Sequence, residues 1–291
     1  MAKDYKECFT PIPKVQFSLL NKTNLSVNFG LYFQRMVRWG RKENNEIETD
    51  IGFEKKRSDS KTDLCNKGNT LLPLAKSFLA KKSETQAEYL NFLAQQGIQT
   101  FSFKAKSTSP FITGFGSGHP TETGMILDRN IGVPYIPASS IKGVLRLACA
   151  LNLAEKNVEY RQKGAVPDND ETLVKYFGSM EQDEKNQKRG QLMFLDSYPE
   201  KTPTLKVDIL NPHFSKYYSG ENKQPVETET PVPVKFLAVK EGATFVFRCA
   251  FIPLQDETCN KEEIEAMFKT AFEKIGFGGK TSIGYGRFEK Q

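Results

Sequence analysis

The stretch IQTFSFKAK (residues 98–106) decides the fold of this chain, because apolar and polar side chains alternate along it. Phe101, Phe103 and Ala105 fall on the same side of an extended backbone, and this period of two predicts a half-buried strand. From Ile98 onward, the hydrophobic periods predict the element order β, α, β, β(β), α, β. That is the order of a ferredoxin-like α+β fold, in which helices pack on one face of an antiparallel sheet.

The later elements of that order rest on separate local patterns. A helix is predicted to start at Ser139 as its N-cap, with one apolar face from Ile141 to Ala148. A Glu-Gly pair within residues 234–253 predicts a turn between two strands. The other predicted elements are a short helix at 171–177, strands at 191–199 and 204–210, an amphipathic helix at 261–275, a glycine-rich loop and a final strand.

Two regions are predicted to lie outside this core. Residues 1–97 form an N-terminal helical extension of the domain at 98–291, and within it residues 41–69 are charged and nearly free of aromatics, which predicts a mobile loop. Residues 211–233 hold two tyrosines, several prolines and few aliphatic residues, which predicts a projecting arm. The elements of the extension are a strand at 15–20 and helices at 28–40, 71–82 and 84–96, the first running from Asn28 as N-cap to Gly40.

The composition restricts the class of function. The net charge is +6 and the pI is near 8.9, which fits a polyanionic partner and equally an ordinary lysine-rich surface. The five cysteines are scattered without a Cys-x-x-Cys pair, which favours a reducing cytoplasm. With only two histidines, no zinc site is expected, and neither is another metal or a cofactor. No signal-peptide core and no run of about 20 apolar residues is present, so no membrane contact is expected.

Two glycine-rich stretches are tested by spacing against the known nucleotide motifs. TGFGSGHPTETG (113–124) contains Gly114, Gly116 and Gly118, but His119 stands where a dinucleotide fingerprint needs its third glycine. KIGFGGKT (274–281) ends like a phosphate-binding P-loop, yet a lysine replaces the first glycine and a strand follows instead of a helix. Neither stretch is therefore interpreted as a dinucleotide-binding fingerprint or a P-loop.

Two looser phosphate-binding patterns remain. In GFGGKTSIGYG (276–286), backbone N–H groups are joined by the cation Lys280, the hydroxyl of Thr281 and the ring of Tyr285. In PASSIKGVLR (137–146), a capped helix start is followed by Lys142 and Arg146 on one flank. An ordinary helix-to-strand turn and a solvated basic flank are the structural alternatives, and the patterns leave both open.

At these residues the chain resembles a known family. FITGFGSGHPTETGMILDRNIGVPYIPASSIKGVLRLAC (111–149) resembles the core of the RAMP superfamily of CRISPR-associated proteins, and FGGKTSIGYGRF (277–288) resembles its C-terminal glycine-rich loop. The His-Pro…Glu-Thr-Gly pattern and VDILNPHFSKYY (207–218) are most similar to the sixth subunit of the Cmr module of type III-B effector complexes. The likeness covers about 98–291, and Ala138 departs from it where many relatives have glycine.

The resemblance implies a ferredoxin-like (RRM-related) fold with a thumb at 211–233, near whose base or tip Tyr217 and Tyr218 would lie. It implies a non-catalytic antiviral subunit that binds CRISPR guide RNA near its 3′ region and meets target RNA. Its neighbours would be the backbone RAMP subunit, the small helical subunit and the first Cmr subunit. The guide phosphates would be bound by Ser139, Ser140, Lys142 and Arg146, and the same path would be lined by Gly278, Gly279, Lys280 and Thr281.

The alternative function is a metal-independent endoribonuclease that matures guide RNA, because such enzymes share this fold and loop. His119 would then be the general base on a ribose 2′-OH, with Lys142 or Lys280 holding the developing charge. A structural His119 that closes its loop is the competing interpretation, and the lack of a second acid–base group nearby in the sequence favours a scaffold. Asp128 is interpreted as structural, and His213 lies too far along the chain to be judged.

Overall fold

A computed structural model of the protein shows helices and antiparallel sheets, which confirms an α+β fold. It describes residues 7–9, 28–35, 39–41, 47–49, 60–119, 121, 123–180, 187–211, 217, 220, 223–224, 233–254 and 257–291. The elements are β1 (Glu7–Phe9), α1 (Phe29–Arg35), β2 (Trp39–Arg41), β3 (Ile47–Thr49), α2 (Ser60–Leu71), α3 (Lys76–Gln95), β4 (Gln99–Ser107), α4 (Ala138–Lys156), α5 (Val158–Lys163), α6 (Glu171–Phe177), β5 (Leu192–Phe194), β6 (Tyr198–Pro199), β7 (Leu205–Leu210), β8 (Val234–Val239), β9 (Thr244–Phe251), α7 (Lys261–Thr270) and β10 (Phe288–Lys290).

The chain divides into two compact units. Unit 1 comprises residues 1–75, 114–132 and 204–239, and unit 2 comprises residues 76–113, 133–203 and 240–291. None of the helices in the described part of the chain is long and apolar enough to cross a bilayer. The predicted strand at 15–20 lies outside the described residues, as do His213, Tyr218 and most of the predicted thumb.

The main sheet of unit 2 has the strand order β10-β4-β9-β5, with β6 also paired to β9, and all its pairs are antiparallel. Its central strand β4 is the predicted strand at 98–106, and Phe101, Phe103 and Ala105 are buried on one side as expected. Phe103 lies opposite Phe247 of β9. The alternating pattern therefore placed the first core strand correctly.

Helices cover both faces of this sheet. On one face, the Phe103 ring lies 4.3 Å from Phe268 of α7, and Phe194 of β5 stacks on Phe177 of α6. On the other face, α3 packs Leu90 and Leu93 against Ala250 of β9. The sequence predicted helices on one face only, and it assigned the residues of α3 to the N-terminal extension. Because α3 supplies a second covering layer, β9 is buried on both faces.

The amphipathic pattern at 261–275 is confirmed as α7 followed by a wider π-helical turn at Ala271–Ile275. The short helix predicted at 171–177 is confirmed as α6, which Asp170 caps by accepting from the backbone N–H groups of Thr172 and Leu173. The strands predicted at 191–199 and 204–210 are present as β5, β6 and β7, but β7 belongs to unit 1 and pairs with β8. The strands predicted on either side of the Glu-Gly turn are β8 and β9, and they join different sheets.

Unit 1 contains a three-stranded sheet, β1-β2-β3, and the two-stranded sheet β7-β8. Helix α2 is fixed to β7 by Asn69, whose Nδ2 donates to the Leu205 carbonyl at 3.0 Å and whose Oδ1 accepts from the Leu205 N–H at 2.7 Å. Asn28 caps α1 as predicted, since its Oδ1 accepts from the Gly30 N–H at 2.7 Å. The side chain of Asn69 thus binds the edge of β7 as a backbone strand would.

Three N-terminal boundaries differ from the predictions. Helix α1 ends at Arg35 instead of Gly40, and Trp39–Arg41 forms β2. The end of the predicted 41–69 loop is helical, because α2 begins at Ser60. The helices predicted at 71–82 and 84–96 are replaced by a 3-10 turn at Leu72–Ala75 and one continuous α3. Ser83 does not interrupt α3, because its hydroxyl faces the sheet and accepts from Arg248 at 2.9 Å.

Candidate nucleic-acid interface

The glycine-rich loop at 276–286 is folded onto the segment that leaves β4. Gly279 N–H donates to the Ile112 carbonyl at 2.8 Å, and Gly286 N–H donates to the Pro110 carbonyl at 2.8 Å. A Cβ on Gly278 would lie 2.0 Å from Ile112 O, and one on Gly286 would lie 1.9 Å from the Phe277 carbonyl oxygen. These two glycines are therefore required by the packing of the loop itself, whatever else approaches it.

Lys280 is the one non-glycine residue with positive φ in the described part of the chain, at φ 60° and ψ 30°. A left-handed conformation costs an L-residue about 1–2 kcal/mol, which glycine avoids. The Lys280 carbonyl accepts from the N–H groups of Ile283 and Tyr285, so the turn fixes this conformation. Gly278 is exposed, and the half-buried members of the predicted site are Gly279, Lys280, Thr281 and Tyr285.

The start of α4 differs from the prediction. Its N-cap is Pro137, which makes no side-chain cap, so Ser139 lies inside the first turn and is not the cap. The N–H of Ala138 donates instead to Asp196 Oδ1 at 2.8 Å. Ser139 and Ser140 are exposed. A carboxylate from a distant segment thus does the capping, because proline leaves the first turn without a local side-chain acceptor.

The basic flank of α4 is divided between one exposed and one paired cation. Lys142 is exposed, whereas Arg146 binds Asp168 at 3.1 Å and its side chain keeps only 21% exposure. A Cβ at Gly143 would meet nothing within 4 Å, so the helix surface there is open. Lys142 is therefore the cation of this pair that is presented to solvent.

The helix start and the glycine loop share one end of the sheet. The loop is bonded to residues 110–112, directly beyond β4. Ile136, just before α4, pairs with Ser197, and the next residue, Tyr198, pairs with Val246 near the start of β9. Because β9 runs antiparallel to β4, both features lie in the half of the sheet toward which β4 runs. The structure thus places the two predicted phosphate-binding patterns on the same side of unit 2.

His119 lies in unit 1 and both of its ring nitrogens are engaged. Nε2 donates to the Phe33 carbonyl at 2.8 Å, because a carbonyl can only accept, and Nδ1 accepts from the Thr121 hydroxyl at 2.7 Å. The ring also stacks on Phe33 with centroids 4.1 Å apart. Burial, and secondarily the charge of Lys61, lower the His119 pKa to about 4 despite the Phe33 hydrogen bond. The imidazole is therefore neutral at pH 7 and acts as a structural link.

The loop around His119 is fixed at both ends and open in the middle. A Cβ on Gly114 would lie 2.5 Å from Ile126, whereas Gly116 and Gly118 are exposed and would meet nothing within 4 Å. Buried Lys61 donates to the Thr123 carbonyl at 2.6 Å and holds the far end of the loop. The two central glycines leave backbone accessible to a ligand or a neighbouring chain.

The remaining predicted residues have simpler environments. Asp128 accepts from the N–H groups of Asn130 and Ile131 at 2.8 and 3.0 Å, which is a turn-stabilising arrangement. Tyr217 is 41% exposed. Asp196 of the segment after β5 was not predicted as a site residue, and neither were Lys82 and Tyr89 of α3, which line one cavity with Asp196 and with Ala138 of α4. Their spacing of seven residues on one helix was a readable signal, although nothing local indicated what that face would meet.

The class of protein follows from its similarity to a known family. The sheet with its glycine loop corresponds to a family model, the RAMP superfamily, that matches residues 104–289, and the chain belongs to this superfamily.

Among the relatives of this chain are Cmr6 subunits of CRISPR systems. The chain is 31% identical over 234 residues to the CRISPR system Cmr subunit Cmr6 of Pyrococcus furiosus, covering 65% of this chain and 68% of that protein. It is 26% identical over 170 residues to the Cmr6 subunit of Saccharolobus solfataricus, covering 58% of this chain and about half, 49%, of that protein. The resemblance drawn from the motifs is confirmed.

A solved structure shares the fold over nearly the whole chain. It is a chain in the cryo-EM structure of the type III-B Cmr-beta complex bound to cognate target RNA, with a TM-score of 0.52 and 17% identity. The match covers 95% of this chain and 94% of that chain. At this identity the likeness describes the fold.

Proposed function

We propose that this chain is a non-catalytic RNA-binding and scaffold subunit of a type III-B Cmr effector complex, acting in the cytoplasm in antiviral defence. Membership of the RAMP superfamily and the two Cmr6 relatives support the assignment to such a complex. The partners we propose are guide RNA, target RNA, the backbone RAMP subunit, the small helical subunit and the first Cmr subunit. The position we propose is near the guide 3′ end.

The conformation of Lys280 is the observation that carries the RNA-binding part. A glycine at this position would relieve the left-handed strain, and four glycines with positive φ already stand in the same loop. A residue held in an unfavourable conformation at a surface loop suggests that its side chain has a function. A lysine side chain carries the positive charge that neutralises a backbone phosphate. We therefore place a guide phosphate at Lys280, with Gly278, Gly279, Thr281 and Tyr285 along the same path.

The start of α4 extends this path in the proposal. Ser139 and Ser140 offer exposed first-turn groups, and Lys142 adds an exposed cation. Asp196 beside Ala138 adds a negative charge there, so the phosphate is expected nearer Lys142 than the first N–H group. Arg146 contributes only if its bond to Asp168 opens.

A ferredoxin-like topology and a thumb complete the proposal. The strand order β10-β4-β9-β5, with α4 after β4 and α7 after β9, supports a ferredoxin-like core formed mainly by residues 98–291. The segment 211–233 joins β7 to β8, an antiparallel pair, which supports a thumb that leaves and re-enters the protein at one place. Residues 1–97 would be the extension, although α3 packs on the core sheet.

The geometry of His119 supports a non-catalytic subunit over the endoribonuclease alternative. A general base on a ribose 2′-OH needs a free ring nitrogen, and both nitrogens of His119 bind protein groups. With its pKa lowered to about 4, the ring is also a weak base. The interaction with Phe33 gives His119 a sufficient structural role.

Two experiments test the proposal with the purified full-length chain. In the first, binding of single-stranded repeat RNA is measured against KCl concentration for the wild type and for Lys142→Ala combined with Lys280→Asn. Loss of two phosphate contacts should reduce the slope of log K against log [KCl] by about 1.4. In the second, metal-free incubation with repeat RNA should give no cleavage. Cleavage by the wild type that disappears in His119→Ala would establish the endoribonuclease instead.

A further inference from the structure

A cavity of about 420 Å³ lies in unit 2 between α3 and the first turn of α4. Its walls include Lys82, Gln86 and Tyr89 of α3, Ala138 of α4, and Asp196 in the segment after β5. The size falls within the range of sites that hold a small ligand or a nucleotide-sized group. The residues on its walls determine which ligand fits.

Lys82 provides a positioned positive charge at this cavity. Its Nζ lies 5.3 Å from the centre of the buried Tyr198 ring, a cation–π contact that holds the ammonium group in place. Among the described residues, no carboxylate forms an ion pair with Lys82. The neighbouring Lys81, by contrast, binds Glu84 at 2.8 Å on the solvent side of the helix. The cavity thus has an ammonium group whose charge no described acid neutralises by contact.

Tyr89 provides an accessible aromatic surface two turns further along α3. Its side chain is 43% exposed, and its hydroxyl donates weakly to the Met193 sulfur at 3.8 Å. Residues seven apart lie on the same face of a helix, so Tyr89 and Lys82 face the same cavity. A ring of this kind can stack with any nucleobase.

Among the described residues, Asp196 is the one acidic group on the cavity wall, and its hydrogen bond at the start of α4 offsets part of its negative charge. Its Oδ1 accepts from the Ala138 N–H, where the positive end of the α4 dipole offsets part of the carboxylate charge. A carboxylate can also accept from the amino group of a base. The cavity therefore combines a cation, a stacking ring and an acceptor.

We infer that this cavity binds one nucleotide of single-stranded RNA, with the base stacked on Tyr89 and the adjoining phosphate at Lys82. The inference rests on the proposed RNA-binding function and adds a base site to the phosphate path along α4. The cavity opens beside Ala138, at the helix start where that path begins. The contact is non-specific in the main, because stacking accepts every base.

The test uses the full-length chain and a fluorescein-labelled single-stranded RNA of about 12 nucleotides, followed by fluorescence anisotropy. Tyr89→Ala is expected to weaken binding about tenfold, whereas Tyr89→Phe, which keeps the ring, stays within about twofold. Phe92→Ala is the matched control, because Phe92 is 56% exposed on the same helix and does not line the cavity. Its affinity should equal that of the wild type.

The proposed contact between Lys82 and a phosphate is tested separately. Lys82→Ala should lower the slope of log K against log [KCl] by about 0.7, and Lys81→Ala should leave it unchanged. A 2-aminopurine base in the RNA should be quenched on binding to the wild type and not to Tyr89→Ala. Melting temperatures of all variants should match, since the substituted side chains are partly exposed.

Three outcomes overturn the inference. Wild-type affinity for Tyr89→Ala, or equal losses for Tyr89→Ala and Phe92→Ala, removes the base site while RNA binding itself stands. Variants that bind RNA normally but no longer associate with other Cmr subunits make the cavity a protein-binding site. If the wild type binds no RNA at all, the proposed RNA-binding function fails, and the base site fails with it.

Discussion

Replacing Lys280 by glycine separates stability from function at one residue. Lys280 holds φ 60° and ψ 30°, where the side chain of an L-residue costs about 1–2 kcal/mol. Glycine removes that cost but loses about 0.5–1 kcal/mol through the greater freedom of the unfolded chain. The net change is a gain of about 0–1.5 kcal/mol in the free energy of unfolding. The same substitution deletes the cation that we place at a guide phosphate.

Urea denaturation and RNA binding measure the two effects. The midpoint should rise without a change in m value, while the slope of log K against log [KCl] for single-stranded RNA falls by about 0.7. Lys280→Asn is the matched variant, because asparagine tolerates the left-handed region and carries no charge. It should lose affinity and gain less stability. Lys280→Arg should keep the affinity of the wild type.

Two results would refute this reasoning. If Lys280→Gly lowers the free energy of unfolding, the lysine stem stabilises the loop by packing, and the strain argument is wrong. If the glycine and asparagine variants both bind RNA with the wild-type affinity and salt slope, Lys280 does not contact phosphate. Urea denaturation tests the strain argument, RNA binding tests the phosphate contact, and neither result depends on the other.

Three further predictions concern other parts of the molecule. Gly143→Ala should raise the free energy of unfolding by about 1 kcal/mol, since its methyl group enters open space, and should weaken RNA binding if the backbone there meets a ligand. Lowering the pH from 7.5 to 5 should cost the wild type about 1–2 kcal/mol, because the unfolded chain protonates His119 near pH 6.5 and the folded chain only near pH 4. That pH dependence, measured by urea denaturation, should vanish in His119→Gln and persist in His213→Gln, and equal curves for all three would contradict it. Asn69→Ala should cost about 2–3 kcal/mol in the same assay, because two hydrogen bonds to the Leu205 backbone are lost, and a loss below about 0.5 kcal/mol would show that water replaces them.

The histidine illustrates how far the sequence could define the site. His119 and its neighbouring glycines could be identified in the sequence, but the sequence left open whether His119 is a general base or a structural residue. The structural interpretation rests on the hydrogen bond from His119 to the Phe33 carbonyl, which lies 86 residues away in the chain. Likewise, the N-cap of α4 was predicted at Ser139, two residues after the observed Pro137, and the carboxylate that caps the helix, Asp196, lies 58 residues from Ala138.

The sequence by itself determined the elements whose signal is local. Strand β4 and helix α7 follow from apolar side chains at periods of two and about 3.6, and the Asn28 cap follows from a side chain that bonds its own helix. Only the tertiary structure decided that α3 covers the second face of the sheet and that β8 and β9 join different sheets. The physical reason is that periodicity shows which face of a segment is apolar but not which distant segment buries it.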